Sequence, residues 1–503
     1  MATTLQTPGV YIQELNAFPN SVVPVPTSVT AFIGYTEKAV LEGRSYLNRP
    51  FPVNSLAEYE TIFGKGPDAV TQFSILGADA GAVFAPLHPV IDLGAEKYRI
   101  GLQSAAFRLY HSLRLFYANG GGQCCIISVG DYSKAPALAD LSAGLTILEN
   151  ESDSAILVIP DAVALPAADH ATLVQQSLAH CANMQSRVAI LDVYDGAVSD
   201  PAQVETVITQ FRNGTGSDGL SYGAAYFPWL VTGIVVRAEI SFLNLPANLS
   251  VFLENTDAVI KALEPLPALR LAYSKDPADA AVITSIQDAN KTLLAVSKQY
   301  YELISAALGI LNVLPPSAAM AGIYALLDNS ASVSKAPANI TLAAVLAPTV
   351  NLTDKQQMFL NVDLGGKSVN ALRAFPMKGV LAWGAKTLDD NSQDFRYINV
   401  RRTLIYIEQS VKLATCSYVF EPNVANTWVT VKACIENFLF TFWKSGSLAG
   451  GKPADAYSVQ VGLGSTMAAE DILDGIMRVS VLVAVSHPAE FIEISFAQEM
   501  QKS

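Results

Sequence analysis

Three runs near the end of the chain decide its reading: RAFPMKGVLAWGAKTLDDNSQDFRYINVRRTLIYIEQS (373–410), FEPNVANTWVTVKACIENFLFTFWKSGSLAGGKPADAYSV (420–459) and MRVSVLVAVSHPAEFIEISFAQ (477–498). Val400, Leu404, Ile407 and Val411 recur at helical spacing, which predicts an amphipathic helix with an apolar stripe behind Arg401, Arg402 and Glu408. Trp428, Val431, Ile435, Phe438, Leu439 and Phe442 predict a second helix with a wider stripe, capped by Asn426 or Thr427 and ended at Gly446. Met477, Val479, Val481, Val483 and Val485 alternate with more polar neighbours, the period of a strand with one buried face. After Pro488, Ile492, Ile494 and Phe496 alternate with Glu493, Ser495 and Ala497, so a second strand is expected at the very end of the chain.

The opposite end mirrors this. Val10 and Ile12 alternate with Tyr11 and Gln13, a short strand pattern. Prolines 19, 24 and 26 follow, and each fixes φ and removes a donor, so 18–27 reads as an extended strap. A strand set off in this way can fold back on its own domain or add to the sheet edge of a neighbour.

Between the ends the chain reads as an α/β layer. Val29, Ala31 and Ile33 begin a strand. Residues 40–105, rich in Gly, Pro and Ala, read as loops or a small surface insertion. A helical pattern at 105–117, the turn NGGG (119–122) and the strand CCIISV come next. AILVIP (155–160), a helix over 168–184 and VAILDV (188–193) give the strand–helix–strand order of parallel pairing. Apolar residues from Ile286 to Leu311 predict one long amphipathic helix, stopped by Pro315 and Pro316.

At 503 residues the chain is too long for one core, so two or three domains are expected. The formal charge of −13 argues against a nucleic-acid partner, which would need a basic footprint. Residues 375–503 hold 11 Lys+Arg against 13 Asp+Glu, leaving 21 against 32 for residues 1–374, so the acidity lies outside the C-terminal part. Five cysteines make no disulfide framework, and reduced thiols fit synthesis in the cytoplasm. The opening MATTLQTPGV has no basic region before an apolar run, so no signal peptide is expected. Apolar runs such as VLVAV and GIVV are strand-sized, so no direct membrane insertion is expected.

Motifs for chemistry are weak. NVDLGGKS (361–368) offers Gly366, Lys367 and Ser368 of a phosphate-binding loop, but Asn361 stands where its first glycine belongs, and Pro376 comes too soon for the following helix. His180 and Cys181 are neighbours on a helix and diverge by about 100°, and His170 lies ten residues earlier, a poor metal spacing. Asp192 and Asp195 end a strand without a nucleophile or glycine fingerprint beside them, which favours loop capping. No catalytic residue, cofactor site or metal site is assigned, and the chain is not expected to be an enzyme. Lys432 and Glu436, one helical turn apart, form at most a weak surface pair. Arg401 and Arg402 read either as a solvated helix start or as residues facing a partner's carboxylates.

The whole chain resembles the contractile tail sheath proteins of phage tails, phage-tail-like injection machines and type VI-like secretion systems. The resemblance is carried by an ordered set: TPGVYIQEL (7–15), PTSVTAFIGYT (26–36), FYANGGGQCCIISV (116–129), PPSAAMAGIYALLD (315–328), KAPAN (335–339), GVLAWGAKTL (379–388), FRYINVRR (395–402), FEPN (420–423), WKSGSLAGGKPADAYSV (443–459) and HPAEFIEISF (487–496). The middle, about 130 to 310, matches only loosely. SASVSKAPAN lacks an Arg-Gly-Val-Trp-like run, and Lys386 stands where Arg is common.

The resemblance implies a multidomain α+β and α/β chain with a C-terminal sheath core domain (365–486), a larger outer α/β domain (28–364), and two arms (1–27 and 487–503) that exchange strands between subunits. Val10, Tyr11, Ile12 and Glu14 would carry one arm and Phe491, Ile492, Ile494 and Phe496 the other, with Arg401, Arg402 and Lys432 facing an inner tube. It further implies a helical homopolymer of stacked rings, tube, baseplate and terminal cap partners, no cofactor, and assembly in the cytoplasm of a particle then released or envelope-anchored. Readings from other classes are a nucleotide-binding enzyme using 361–368 and a static filament or shell protein.

Overall fold

The computed structural model describes residues 22–67, 72–79, 85–94, 96–103, 107–361 and 365–490. All eight residues expected to carry the arms (Val10, Tyr11, Ile12, Glu14, Phe491, Ile492, Ile494 and Phe496) lie outside this range. The described residues group into two compact units, 22–25 with 406–486 and 26–405 with 487–490.

The larger unit is built on a nine-stranded sheet. Its runs TAFIGY, CCIISVG, ILV, VAILD and GAAYF are apolar without alternation because both faces of each strand are covered. Six strands are parallel, in the order Asn370–Phe375, Gly223–Phe227, Val188–Asp192, Ile156–Val158, Thr30–Tyr35, Cys124–Gly130. Antiparallel strands close the margins: Pro50–Val53 beyond Cys124–Gly130, and Gly379–Ala382 then Ile340–Thr341 beyond Asn370–Phe375. Neighbouring residues on one strand feed opposite cores. Phe32, Cys124 and Ile126 pack with the helices Leu109–Ala118 and Ser317–Ser330. Ala31, Ile33 and Ile127 pack with Leu138–Leu148, Ala167–Met184 and Val204–Gly214. This is a multidomain mixture of helix and sheet, as the sequence implied.

Three expectations change. Residues 40–105 are not merely irregular: Pro50–Val53 joins the main sheet, and Phe73–Gly77, Val90–Leu93 and Glu96–Leu102 form a separate antiparallel sheet. That small sheet shares a third core with helices between 257 and 311, through Phe73, Ile100, Leu293 and Ile304. The single helix expected at 286–311 is two, Ala280–Val296 and Lys298–Leu311. Ser297 is extended, and its Oγ accepts the Tyr300 N–H at 3.0 Å, so a side-chain cap starts a new helix where apolar spacing alone would run on. The boundary drawn at 364/365 also moves. Asn370–Phe375 pairs with Gly223–Phe227 in the main sheet, so 365–405 belongs with the larger unit.

Candidate assembly surface

The smaller unit is centred on the helix Ala425–Lys444, whose Val431, Cys434, Ile435 and Leu439 are buried. Tyr406 sits over Phe438 and Phe442, with ring centroids 5.8 and 5.2 Å away. The helix starts after Val424 without a side-chain cap; Thr427 instead donates its hydroxyl to the Pro422 carbonyl at 2.7 Å. Gly446, at φ 80°, turns the chain out in a left-handed conformation that favours glycine.

Against this helix lies the strand Tyr457–Val461, paired antiparallel with Val479–Val483. Val459 and Val481 stand opposite each other on the face with Tyr457, Val461, Val479 and Val483; Leu482 points the other way and is 64% exposed. Among the described residues this sheet has two strands only. Each strand therefore keeps one edge without a ladder partner, and two-stranded sheets are marginal alone. Eleven large apolar residues of the same unit are well exposed among the described residues, including Val419, Phe420, Val429 and Leu473. Apolar surface of this density marks a contact face.

Of the residues expected to face a tube, Lys432 is at the surface, 3.8 Å from Glu436 with both side chains about 40% exposed. Arg401 and Arg402 are not. The first turns of the helix Ile398–Thr415 are buried on every side, Asn399 and Thr403 included. Arg402 makes a bidentate pair with Asp328 at 2.6 and 3.1 Å, donates to the Thr27 carbonyl at 3.0 Å and covers the Tyr324 ring. Arg401 lies 3.7 Å from the Phe395 ring centroid and 4.3 Å from that of Tyr222, and donates to Ser221 Oγ. Both are internal struts. The stripe reading places them in solvent because periodicity does not register a guanidinium whose hydrogen-bond and ring partners lie inside.

The places where an α/β sheet usually binds ligands are filled from within. Between Thr30–Tyr35 and Ile156–Val158 the strand order reverses, the usual cleft position. Asp161 occupies it, fully buried, and accepts the N–H groups of Arg108 (2.5 Å), Leu109 (3.2 Å) and Tyr35 (2.8 Å). Its carboxylate thus takes the helix N-terminus where a bound anion would sit. Burial pushes the Asp161 carboxyl up to about 6.

One strand further, Asp192 accepts the Ser317 N–H (2.8 Å) and hydroxyl (2.5 Å), and burial pushes it up to about 7. Asp192 holds the start of the helix Ser317–Ser330, where the sequence favours loop capping. In the 361–368 loop, Lys367 Nζ donates to the Arg212 carbonyl at 2.7 Å and Ser368 Oγ to the Asn361 carbonyl at 2.7 Å. Both side chains of the phosphate-loop resemblance are spent on the protein's own backbone. His170 and His180 are buried, and burial pushes both down to about 4.

The phage tail sheath C-terminal domain family matches residues 390–498, which include both long helices and the two-stranded sheet. Over 99% of each chain, the structure is similar to the sheath complex of an extracellular contractile injection system, PVC, in the contracted state, at 26% identity and TM-score 0.60. The chain carries a phage tail sheath C-terminal domain. It is also similar to a chain of the anti-feeding prophage (AFP) baseplate, at 25% identity over 99% of this chain and 100% of that one, TM-score 0.60. The contracted AFP helical sheath shares the fold, with 24% identity, coverage of 98% and 100%, and TM-score 0.61. No curated protein matches. As a sheath subunit the chain has a structural role, and the missed signals for Arg401 and Arg402 were their partners Asp328 and Tyr222, far away in sequence.

Proposed function

We propose that this subunit polymerises into a helical sheath of stacked rings around an inner tube and contracts to drive that tube through a target envelope. The observation that carries the reading is the two-stranded sheet of 457–461 and 479–483 with both outer edges unpaired among the described residues. Each chain has two segments of strand pattern at its ends, near 10–12 and 492–496, and two edges to receive them. Donors and acceptors balance one for one, as a homopolymer requires.

Ladder hydrogen bonds to an extended guest tolerate changes in angle between rigid bodies, so a mesh linked in this way can widen and shorten without parting. Energy stored in the extended lattice at assembly would drive contraction, with no cofactor. The division into an outer α/β domain, a sheath core and two arms is part of the same proposal, with the tube, a baseplate and a terminal cap as partners. Lys432 remains the tube-facing candidate; Arg401 and Arg402 are withdrawn. Assembly is proposed in the cytoplasm, before release or anchoring of the particle.

Electron microscopy of the purified assembly before and after mild denaturant tests the reading. Two lattices of different length and diameter support it, and a single unchanging lattice refutes it in favour of a static filament. Saturable nucleotide binding that is lost in Lys367→Ala would instead restore the enzyme reading.

A further inference from the structure

We propose that Glu490 is a clasp that fixes where, and in which direction, the C-terminal arm leaves the larger unit; this rests on the arm reading above. The side chain is only 24% exposed, although the residue as a whole is exposed. Asn361 Nδ2 donates to its Oε1 at 3.2 Å, and the Tyr397 hydroxyl donates to its Oε2 at 3.1 Å. Lys386 Nζ lies 4.0 Å from the same Oε2. These partners come from three elements: the end of the helix Asp354–Asn361, the segment after Gly379–Ala382, and the residue preceding the helix Ile398–Thr415.

A bridge between Lys386 and Tyr397 joins two of them, so the cradle is tied together before the carboxylate enters it. His487 adds a ring contact to Tyr397 at 6.1 Å, which gives the segment a second point of hold three residues earlier. Pro488 between the two restricts the backbone. A segment held at two nearby points by directional contacts leaves along one line. That is what a strand needs if it is to meet a distant edge in register.

The charges make the clasp separable from the fold. Lys386 is buried and already pairs with Asp390 at 3.0 Å, so removing Glu490 leaves no unpaired buried cation. Hydrogen exchange of the full, unassembled chain reads the clasp directly. Glu490→Ala should raise exchange across 486–490 by about tenfold, the size of a lost charge-assisted hydrogen bond, with exchange elsewhere unchanged. Glu490→Gln, which keeps an acceptor but not the charge, should fall between wild type and Glu490→Ala. Tyr397→Phe should loosen the same residues. Unchanged exchange in Glu490→Ala, or a uniform rise along the whole chain, overturns the clasp.

Assembly separates the clasp from the reading beneath it. If a chain ending at 490 polymerises normally, the arm reading itself fails. If that chain does not polymerise while Glu490→Ala does so as well as wild type, only the clasp fails. Tubes from Glu490→Ala that are fewer or irregular support it.

Discussion

At Asp192 a buried carboxylate gives the fold a dependence on pH. Burial pushes its folded value up to about 7, above the roughly 3.9 of an unfolded aspartate. The folded state therefore holds this proton more tightly. Its contribution to stability is full below about pH 4 and is lost as the pH rises through 7. Asp161, pushed to about 6, acts in the same direction. Asp192→Asn, which keeps an acceptor for the Ser317 N–H, should flatten the decline in urea midpoint between pH 4 and 7; parallel curves for variant and wild type would contradict it.

The buried pair Arg402–Asp328 gives a second prediction at this scale. Arg402→Ala leaves a carboxylate uncompensated in the interior and should destabilise by about 3–5 kcal/mol in denaturant titration. Replacing both residues with apolar side chains should recover most of that loss, because the desolvation of two charges is then also removed.

The helices and strands differ in how openly they show themselves. The helix Ala425–Lys444 and the parallel strands are legible because a stripe or a run of apolar residues reports burial directly. The break at Ser297 is not. It depends on Ser297 capping the Lys298–Leu311 helix and on Glu254, forty-three residues earlier, which accepts the Ser297 hydroxyl and the Gln299 N–H. Ser297→Ala should destabilise by about 1 kcal/mol, with faster exchange confined to the start of that helix. Loss of protection spread over both helices would show that the break is set by packing and not by the cap. The strands of 73–102 were hidden for a related reason. Phe73, Ile75, Leu93 and Ile100 are too few and too spaced to show a pattern until the helices between 257 and 311 cover them.

For the assembled molecule, the prediction follows from the sheet edges left unpaired among the described residues. Removing residues 1–20 takes away one proposed strand donor but none of the described cores. Such a chain should keep its circular dichroism and melting behaviour yet fail to form tubes in electron microscopy. Normal tubes from it would refute strand exchange by that arm. The concentration of exposed apolar residues between 413 and 482 points the same way, because an isolated subunit would otherwise keep so much apolar surface in water.

The sequence by itself determined the elements whose burial is written in local spacing: the two long C-terminal helices, the alternating Val479–Val483 strand and the fully apolar parallel strands. It also carried the resemblance to contractile tail sheath proteins, whose motifs recur in one order from end to end. Tertiary structure alone decided what depends on partners distant in the chain. It put Asn370–Phe375 and Gly379–Ala382 into the main sheet, filled the cleft with Asp161, and turned Arg401 and Arg402 from surface charges into struts. The physical reason is that periodicity reports which face of an element is apolar. It does not report which carboxylate, ring or backbone carbonyl waits on the other side to satisfy a polar group.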